Sequence, residues 1–206
     1  MSISNGLKTA RVGILIGSSR RVRVGPSVTQ FIKNTIPASR ANNIDIDTVD
    51  ISKFNLPIFD EAVIPAQVPA QAQFAHEHSK AWNAEIEKYD GYIIVSPEYN
   101  FGVPGGLKNA IDYLYHSWTG KPVLIIAYGG GGGQHASDAL KTILNGMKLR
   151  VCETRPTLPL GSETMPAMSH GVLTDAARDI WGKEYGNDIR RGWDELSSAI
   201  LDPTPQ

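Results

Sequence analysis

Residues 92–112 read Tyr-Ile-Ile-Val-Ser-Pro-Glu-Tyr-Asn-Phe-Gly-Val-Pro-Gly-Gly-Leu-Lys-Asn-Ala-Ile-Asp, and this stretch decides the fold. Tyr92 to Val95 is an apolar run without polar alternation, the mark of a strand buried on both faces. Leu107, Ala110, Ile111, Leu114 and Tyr115 then recur at helical spacing. Between the two periods, Pro97 and Pro104 stiffen the chain and Gly102, Gly105 and Gly106 punctuate it. A buried strand passing through a short loop into an amphipathic helix is half of a βαβ unit.

The same grammar repeats on either side. Val12 to Ile16 and Val123 to Ala127 are two more buried runs. Ile44 to Ile51 alternates, with Ile44 and Ile46 on one side before the phase slips to Val49 and Ile51, which suits a strand near a sheet edge. Leu149 to Val151 starts a fifth strand. Helical spacing appears at Val28, Phe31, Ile32 and Ile36, at Trp82, Ile86 and Tyr89, at Ala139, Leu140, Ile143, Leu144 and Met147, and at Ile189, Trp193, Leu196 and Ile200. Strands alternating with helices imply right-handed crossovers and a parallel sheet covered on both faces. The expectation is an α/β, doubly wound, five-stranded sheet in the flavodoxin-like order 2-1-3-4-5, with ligand at the carboxyl ends of the strands near the switch point. Residues 1–10 are expected to be a flexible N-terminus, 11–201 one domain and 202–206 a tail. Asp60 to Gln73 reads as a long connection within that domain.

With 206 residues, 41% hydrophobic and 20% charged, the chain has the composition of an ordinary globular domain. Lys and Arg number 20 against 21 Asp and Glu, so no global pull toward nucleic acid or anionic membrane is expected. No apolar run reaches membrane-spanning length, and Met1 to Ala10 lacks the apolar centre of a signal peptide. Cys152, the single cysteine, excludes an intramolecular disulfide and reads as a small buried hydrophobe. A cytoplasmic location is the expectation. His76 and His78, two apart on an expected helix, point in different directions, so a shared metal is not expected. No Gly-x-Ser-x-Gly elbow is present. Lys108 and Asp112 are expected to pair along their helix.

Three loops follow three buried strands. Gly17-Ser18-Ser19-Arg20-Arg21-Val22-Arg23-Val24-Gly25 offers hydroxyls, guanidiniums and helix-terminal amides, the donors that a phosphate needs. It is neither of the standard glycine-rich nucleotide loops. Ser96 to Gly106 carries Tyr99 and Phe101, planar surface for an aromatic ring, unless both pack inward. Tyr128 precedes Gly129 to Gly133, five glycines whose ordering is entropically costly, which suits a surface that a flat ligand approaches closely or else a mobile loop.

The chain resembles the NAD(P)H-dependent FMN and quinone reductases of flavodoxin-like fold, including fungal cytosolic flavin reductases. The resemblance rests on GSSRRVRVG (residues 17–25), SPEYNFGVPGGLKNAIDYLYHSW (96–118) and GKPVLIIAYGGGGG (120–133), and spans roughly residues 11–161. It implies that Ser18, Arg20 and Arg23, with the amides of Val24 and Gly25, bind the FMN phosphate. The family's loop commonly has serine and asparagine where this chain has Arg23 and Gly25. Pro97, Glu98, Tyr99 and Asn100 then line the isoalloxazine, largely through backbone groups. Tyr128, Gly129, Gly130 and Gly131 form the opposite wall. No catalytic side chain and no metal is implied, because the flavin carries the chemistry. NADPH or NADH is the implied donor, a quinone or flavin the implied acceptor, and the scheme ping-pong. A flavin-bound redox sensor and a reductase releasing reduced flavin remain open alternatives. The resemblance also implies a homodimer or homotetramer, with Tyr113, His116 and Trp118, outside the helix's inward stripe, as candidate interface residues.

Overall fold

The structure, a computed structural model, describes residues 9–36, 43–162 and 169–202. Most of the expected flexible N-terminus and of the C-terminal tail therefore lies outside the described residues. Among the described residues, strands and helices follow in the order β1 (Ala10–Ile16), α1 (Gly25–Thr35), β2 (Ile44–Asp50), α2 (Glu77–Ile86), β3 (Gly91–Pro97), α3 (Gly105–Asp112), β4 (Pro122–Gly129), α4 (Gln134–Gly146), β5 (Arg150–Val151), β6 (Thr157–Pro159), α5 (Asp175–Glu184) and α6 (Gly186–Leu201). Every strand pairing is parallel, in the order β2-β1-β3-β4-β5. This is the flavodoxin-like arrangement.

Side-chain alternation along β3 shows how the sheet is covered. Ile93 and Val95 enter a core with Val28, Ile32 and Trp193 of α1 and α6. Tyr92 and Ile94 enter the opposite core with Trp82, Leu107, Ile111 and Leu140 of α2, α3 and α4. Because neighbouring residues of a strand point to opposite faces, a run apolar at every position needs helices on both sides. The chain supplies them.

Three expectations are corrected. The fifth strand position is split: β5 pairs with the start of β4, and β6 pairs with its end, Ala127 opposite Thr157. Three residues, preceded by Pro156 and ending on Pro159, carry too little pattern to read as a strand, yet at a sheet edge prolines are tolerated. His76 and His78 do not diverge. Their rings stack at 5.1 Å and 10° because His76 precedes α2 in extended conformation. His78 Nε2 lies 3.0 Å from Asp60 Oδ1, and the Tyr113 hydroxyl donates to the same oxygen at 2.9 Å. Asp60 sits below the ordinary carboxylate range: burial, its largest influence, pushes upward, but these hydrogen bonds outweigh it. Among the described residues, no group of three or more His, Cys, Asp or Glu is placed to hold a metal ion.

Tyr113 and Trp118 are fully buried in the core of the single chain, so neither is an interface aromatic. Trp118 packs edge-on to Trp82 and Tyr92, and its Nε1 donates to Ile111 O at 3.3 Å. After α3 ends at Asp112, the helical phase used to place them outside the stripe no longer applies. The expected Lys108–Asp112 pair is present, with Nζ 2.5 Å from Oδ2. Cys152 is buried, and desolvation pushes its thiol up to about 12, so it is an inert packing group.

Candidate flavin site

The switch point lies between β1 and β3, where the order reverses, and the loops after β1, β3 and β4 meet there. Gly17 N donates to Val95 O at 2.8 Å, and Glu98 N to Tyr128 O at 2.9 Å, so each loop starts from its neighbour's strand.

At the head of α1, Val24 offers no side-chain cap and the first turn holds no acid. Its amides and the positive end of the helix dipole are thus left for an anion. Ser18 is buried, and its Oγ makes no hydrogen bond of normal geometry. Its one polar neighbour is the Tyr128 hydroxyl, and a buried hydroxyl without a well-formed hydrogen bond is costly. Gly25 allows the close packing here: a Cβ on it would lie 2.2 Å from Ser18 Oγ and 3.0 Å from the Tyr128 hydroxyl. Burial, the largest influence, holds that hydroxyl protonated far above its ordinary pKa. Arg20 is exposed beside the loop, its Nε 3.0 Å from the Tyr99 hydroxyl and its guanidinium 5.2 Å from the Tyr99 ring centre.

Arg23 departs from expectation. Its Nη1 lies 2.9 Å from Asp50 Oδ1 and its Nη2 2.6 Å from Asp50 Oδ2, while Nη2 also donates to Ser52 Oγ at 2.9 Å. Nη1 donates further to the Ser18 carbonyl. The guanidinium is committed to its own protein and is not presented as a free phosphate donor.

In the loop after β3, Tyr99 and Gly102 exchange two backbone hydrogen bonds of 3.1 Å. Asn100 and Phe101 form the turn between them, with φ of 48° and 61°. Two successive non-glycine residues in the left-handed region, costing about 1–3 kcal/mol each, persist only where surroundings hold them, and such strain clusters at functional sites. Phe101 stands 80% exposed, its ring edge-on to His135 at 5.6 Å. The amides of Glu98 and Tyr99 are already used, so of the expected ring-lining residues only Asn100 keeps an amide outside these pairings. The Glu98 side chain turns away and accepts from Ala136 N at 3.1 Å, inside the first turn of α4.

The five glycines divide. Gly132 and Gly133 have φ of 90° and 89°, and a Cβ on Gly133 would sit 2.8 Å from Tyr128 N. These two are structural, contrary to the expectation for the run. Gly130 and Gly131 are exposed, with nothing within 4 Å of a built Cβ. They leave a bare surface on the outer side of the turn. Tyr128 is not part of that surface: it is 3% exposed, and only its hydroxyl reaches the phosphate loop.

The structure thus brings Ser18, Arg20, Val24, Gly25, Tyr99, Asn100 and the glycine turn to one end of the sheet. Asp50 and Ser52 belong to the same constellation and were not foreseen, whereas His135, directly after the glycine run, stands at its edge against Phe101. Asp50 closing the alternating strand carried a trace of its role; Ser52 carried none.

An α/β protein of flavodoxin-like fold, with an uncapped first helix behind a serine- and arginine-bearing loop and an aromatic and a glycine loop beside it, is the class that this geometry defines. Residues 10–160 match the model of the NADPH-dependent FMN reductase family, and the chain belongs to that family. It is 42% identical over 199 residues to the NAD(P)H-dependent FMN reductase ntnL of a Nectria species, covering 94% of this chain and 98% of that one. A quinone reductase of Pseudomonas putida is 30% identical over 196 residues, with 92% and 97% covered. Among solved structures, the flavoenzyme NAD(P)H:(acceptor) oxidoreductase FerB of Paracoccus denitrificans superposes with a TM-score of 0.66 at 21% identity, covering 92% and 98%, a likeness of fold.

Proposed function

We propose that this protein is an FMN-dependent oxidoreductase that passes electrons from NADPH or NADH to a quinone, a flavin or a similar small acceptor. The observation that carries the reading is Ser18 Oγ, buried at the uncapped head of α1 with no well-formed hydrogen bond and only the Tyr128 hydroxyl beside it. It fits a phosphate monoester. When bound, FMN supplies the hydride chemistry.

The chain's own groups hold and shape. The amides of Val24 and Gly25, Ser18 and Arg20, the last exposed beside Tyr99, would hold the phosphate. The strained Asn100–Phe101 turn and the bare edge at Gly130 and Gly131 leave flat approach to the ring between them. Donor and acceptor use this one open side in turn, which is ping-pong exchange. No side chain of the site needs to act as nucleophile.

The protein works in the cytosol as a dimer or tetramer in this reading. With Tyr113 and Trp118 inside the core, the most exposed large apolar side chains among the described residues, Ile58 at 89% and Phe101 at 80%, support assembly.

The test is spectroscopic. The purified protein is loaded with FMN, dialysed, and scanned in the visible range. A retained flavin spectrum that bleaches anaerobically with NAD(P)H and recovers on adding a quinone supports the reading. No FMN binding by the folded apoprotein overturns it.

A further inference from the structure

We propose that Asp50, at the end of β2, is a positioning residue for the phosphate site, acting through Arg23, which braces the loop and leaves direct phosphate contact to its neighbours. The inference rests on the reading of the loop after β1 as the FMN phosphate site.

The geometry is a closed bracket. Asp50 and Arg23 meet fork to fork at 2.9 and 2.6 Å, the strong bidentate form of an ion pair. Both side chains are largely shielded, at 13% and 15% exposure. Asp50 Oδ1 also accepts from Ser52 N at 3.1 Å and Ser52 Oγ at 2.8 Å. The far end of the bracket is the Ser18 carbonyl, which takes a hydrogen bond from Arg23 Nη1. Ser18 is the residue whose buried hydroxyl has no well-formed hydrogen bond and only the Tyr128 hydroxyl beside it. The chain Ser52–Asp50–Arg23–Ser18 therefore fixes the peptide whose side chain awaits the phosphate.

The charges support this division of labour. Asp50 is drawn below the ordinary carboxylate value: burial, its largest influence, pushes upward, and the bonds from Arg23 and Ser52 outweigh it. Arg23 is pushed above its ordinary value, first by the Asp50 hydrogen bond. A pair so matched is neutral as a unit, and adds no net attraction for a dianion. Its contribution is shape. The loop is anchored at its start by Gly17 N to Val95 O and at Arg20 by Tyr99; with Arg21 and Val22 exposed, the Arg23 bracket ties its far half back to Ser18, and a preorganised site binds more tightly than one ordered by its ligand.

The two possible roles of Arg23 predict opposite effects at Asp50. If Arg23 were a phosphate ligand held back by Asp50, removing the Asp50 charge would release it and strengthen FMN binding. If Arg23 braces the loop, the same change weakens binding of FMN and leaves riboflavin, which lacks the phosphate, untouched.

The experiment titrates the apoproteins of wild type, Asp50→Asn, Arg23→Ala and the double variant with FMN and with riboflavin, reading flavin fluorescence. Far-UV circular dichroism checks the fold. Because a change on β2 can perturb the sheet, Ser52→Ala carries the same test from outside the strand. The expected result is FMN affinity weakened about 10-fold in each single variant, no further loss in the double variant, and unchanged riboflavin affinity. For Ser52→Ala a smaller loss, again confined to FMN, is expected. Tighter or unchanged FMN binding by Asp50→Asn overturns the proposal. So does a parallel loss for both flavins, which would make the pair a stability element only. If wild type itself does not prefer FMN to riboflavin, the phosphate-site reading fails first, and with it the basis of the inference.

Discussion

Glu98 Oε2 accepts from the amide of Ala136 at 3.1 Å, so a residue of the loop after β3 caps the helix after β4. The glycine turn is thereby tied to the aromatic loop across the site. Glu98→Ala should cost about 0.5–2 kcal/mol, the usual value of a helix N-cap. It should also loosen the turn without unfolding the chain. Urea denaturation measures the first effect, and amide exchange at residues 130–137 the second; an unchanged exchange pattern would show that the cap does not order the turn.

The division among the glycines predicts two different failures. Gly133→Ala places a Cβ 2.8 Å from Tyr128 N at φ 89°. It should destabilise the protein by more than about 1 kcal/mol. Gly131→Leu enters open space, and should leave stability within about 0.5 kcal/mol of wild type while slowing flavin reduction. Thermal melts and stopped-flow reduction by NAD(P)H separate the two. A Gly131→Leu variant reduced at the normal rate removes that glycine from the approach path.

Arg20→Ala should weaken FMN binding about 10-fold, the lower end for a hydrogen bond to a charged group, because Arg20 is exposed. The loss should shrink at high salt. Fluorescence titration at two ionic strengths checks both points, and equal affinity in variant and wild type would dismiss Arg20 as a phosphate donor.

Trp118→Ala removes a fully buried side chain. It should lower stability by about 3–5 kcal/mol, as large aromatic truncations do. Its effect should appear in the denaturant midpoint and not as selective dissociation of an otherwise normal subunit. Light scattering beside a urea titration distinguishes these outcomes.

Acid should loosen the phosphate loop through Asp50. Its folded pKa lies below the ordinary 3.8. Its stabilisation is therefore complete above that value and lost as pH falls through the folded one. Wild type should lose thermal stability below about pH 4 more steeply than Asp50→Asn. Parallel curves for the two proteins would show that the pair contributes nothing to the acid limb.

What the sequence made legible was local. The buried runs at Val12, Tyr92 and Val123 and the helical stripes after them carry their own periodicity, and the parallel sheet covered on both faces follows from their alternation. The three site loops were visible because Ser18, Tyr99 and the glycine run sit directly behind those strands. The rest depends on partners far apart in the chain. Arg23 meets Asp50 across 27 residues and Glu98 meets Ala136 across 38. Trp118 lies past the end of α3, where helical phase stops predicting direction. His76 and His78 share Asp60 only because the helix begins one residue later than their spacing assumed. No periodicity encodes such pairings.

Those cross-ties have a consequence for folding. Arg23 to Asp50, Arg20 to Tyr99, and Glu98 to Ala136 each join segments that come together only after separate strands have found their register. A partly folded chain can hold the first strand and helix and still lack the cradle's geometry. Contacts of such sequence separation form late, after the entropy of closing the intervening loops has been overcome. Flavin capture should then lag behind helix formation during refolding, and free FMN should select the fully assembled sheet from its incomplete precursors.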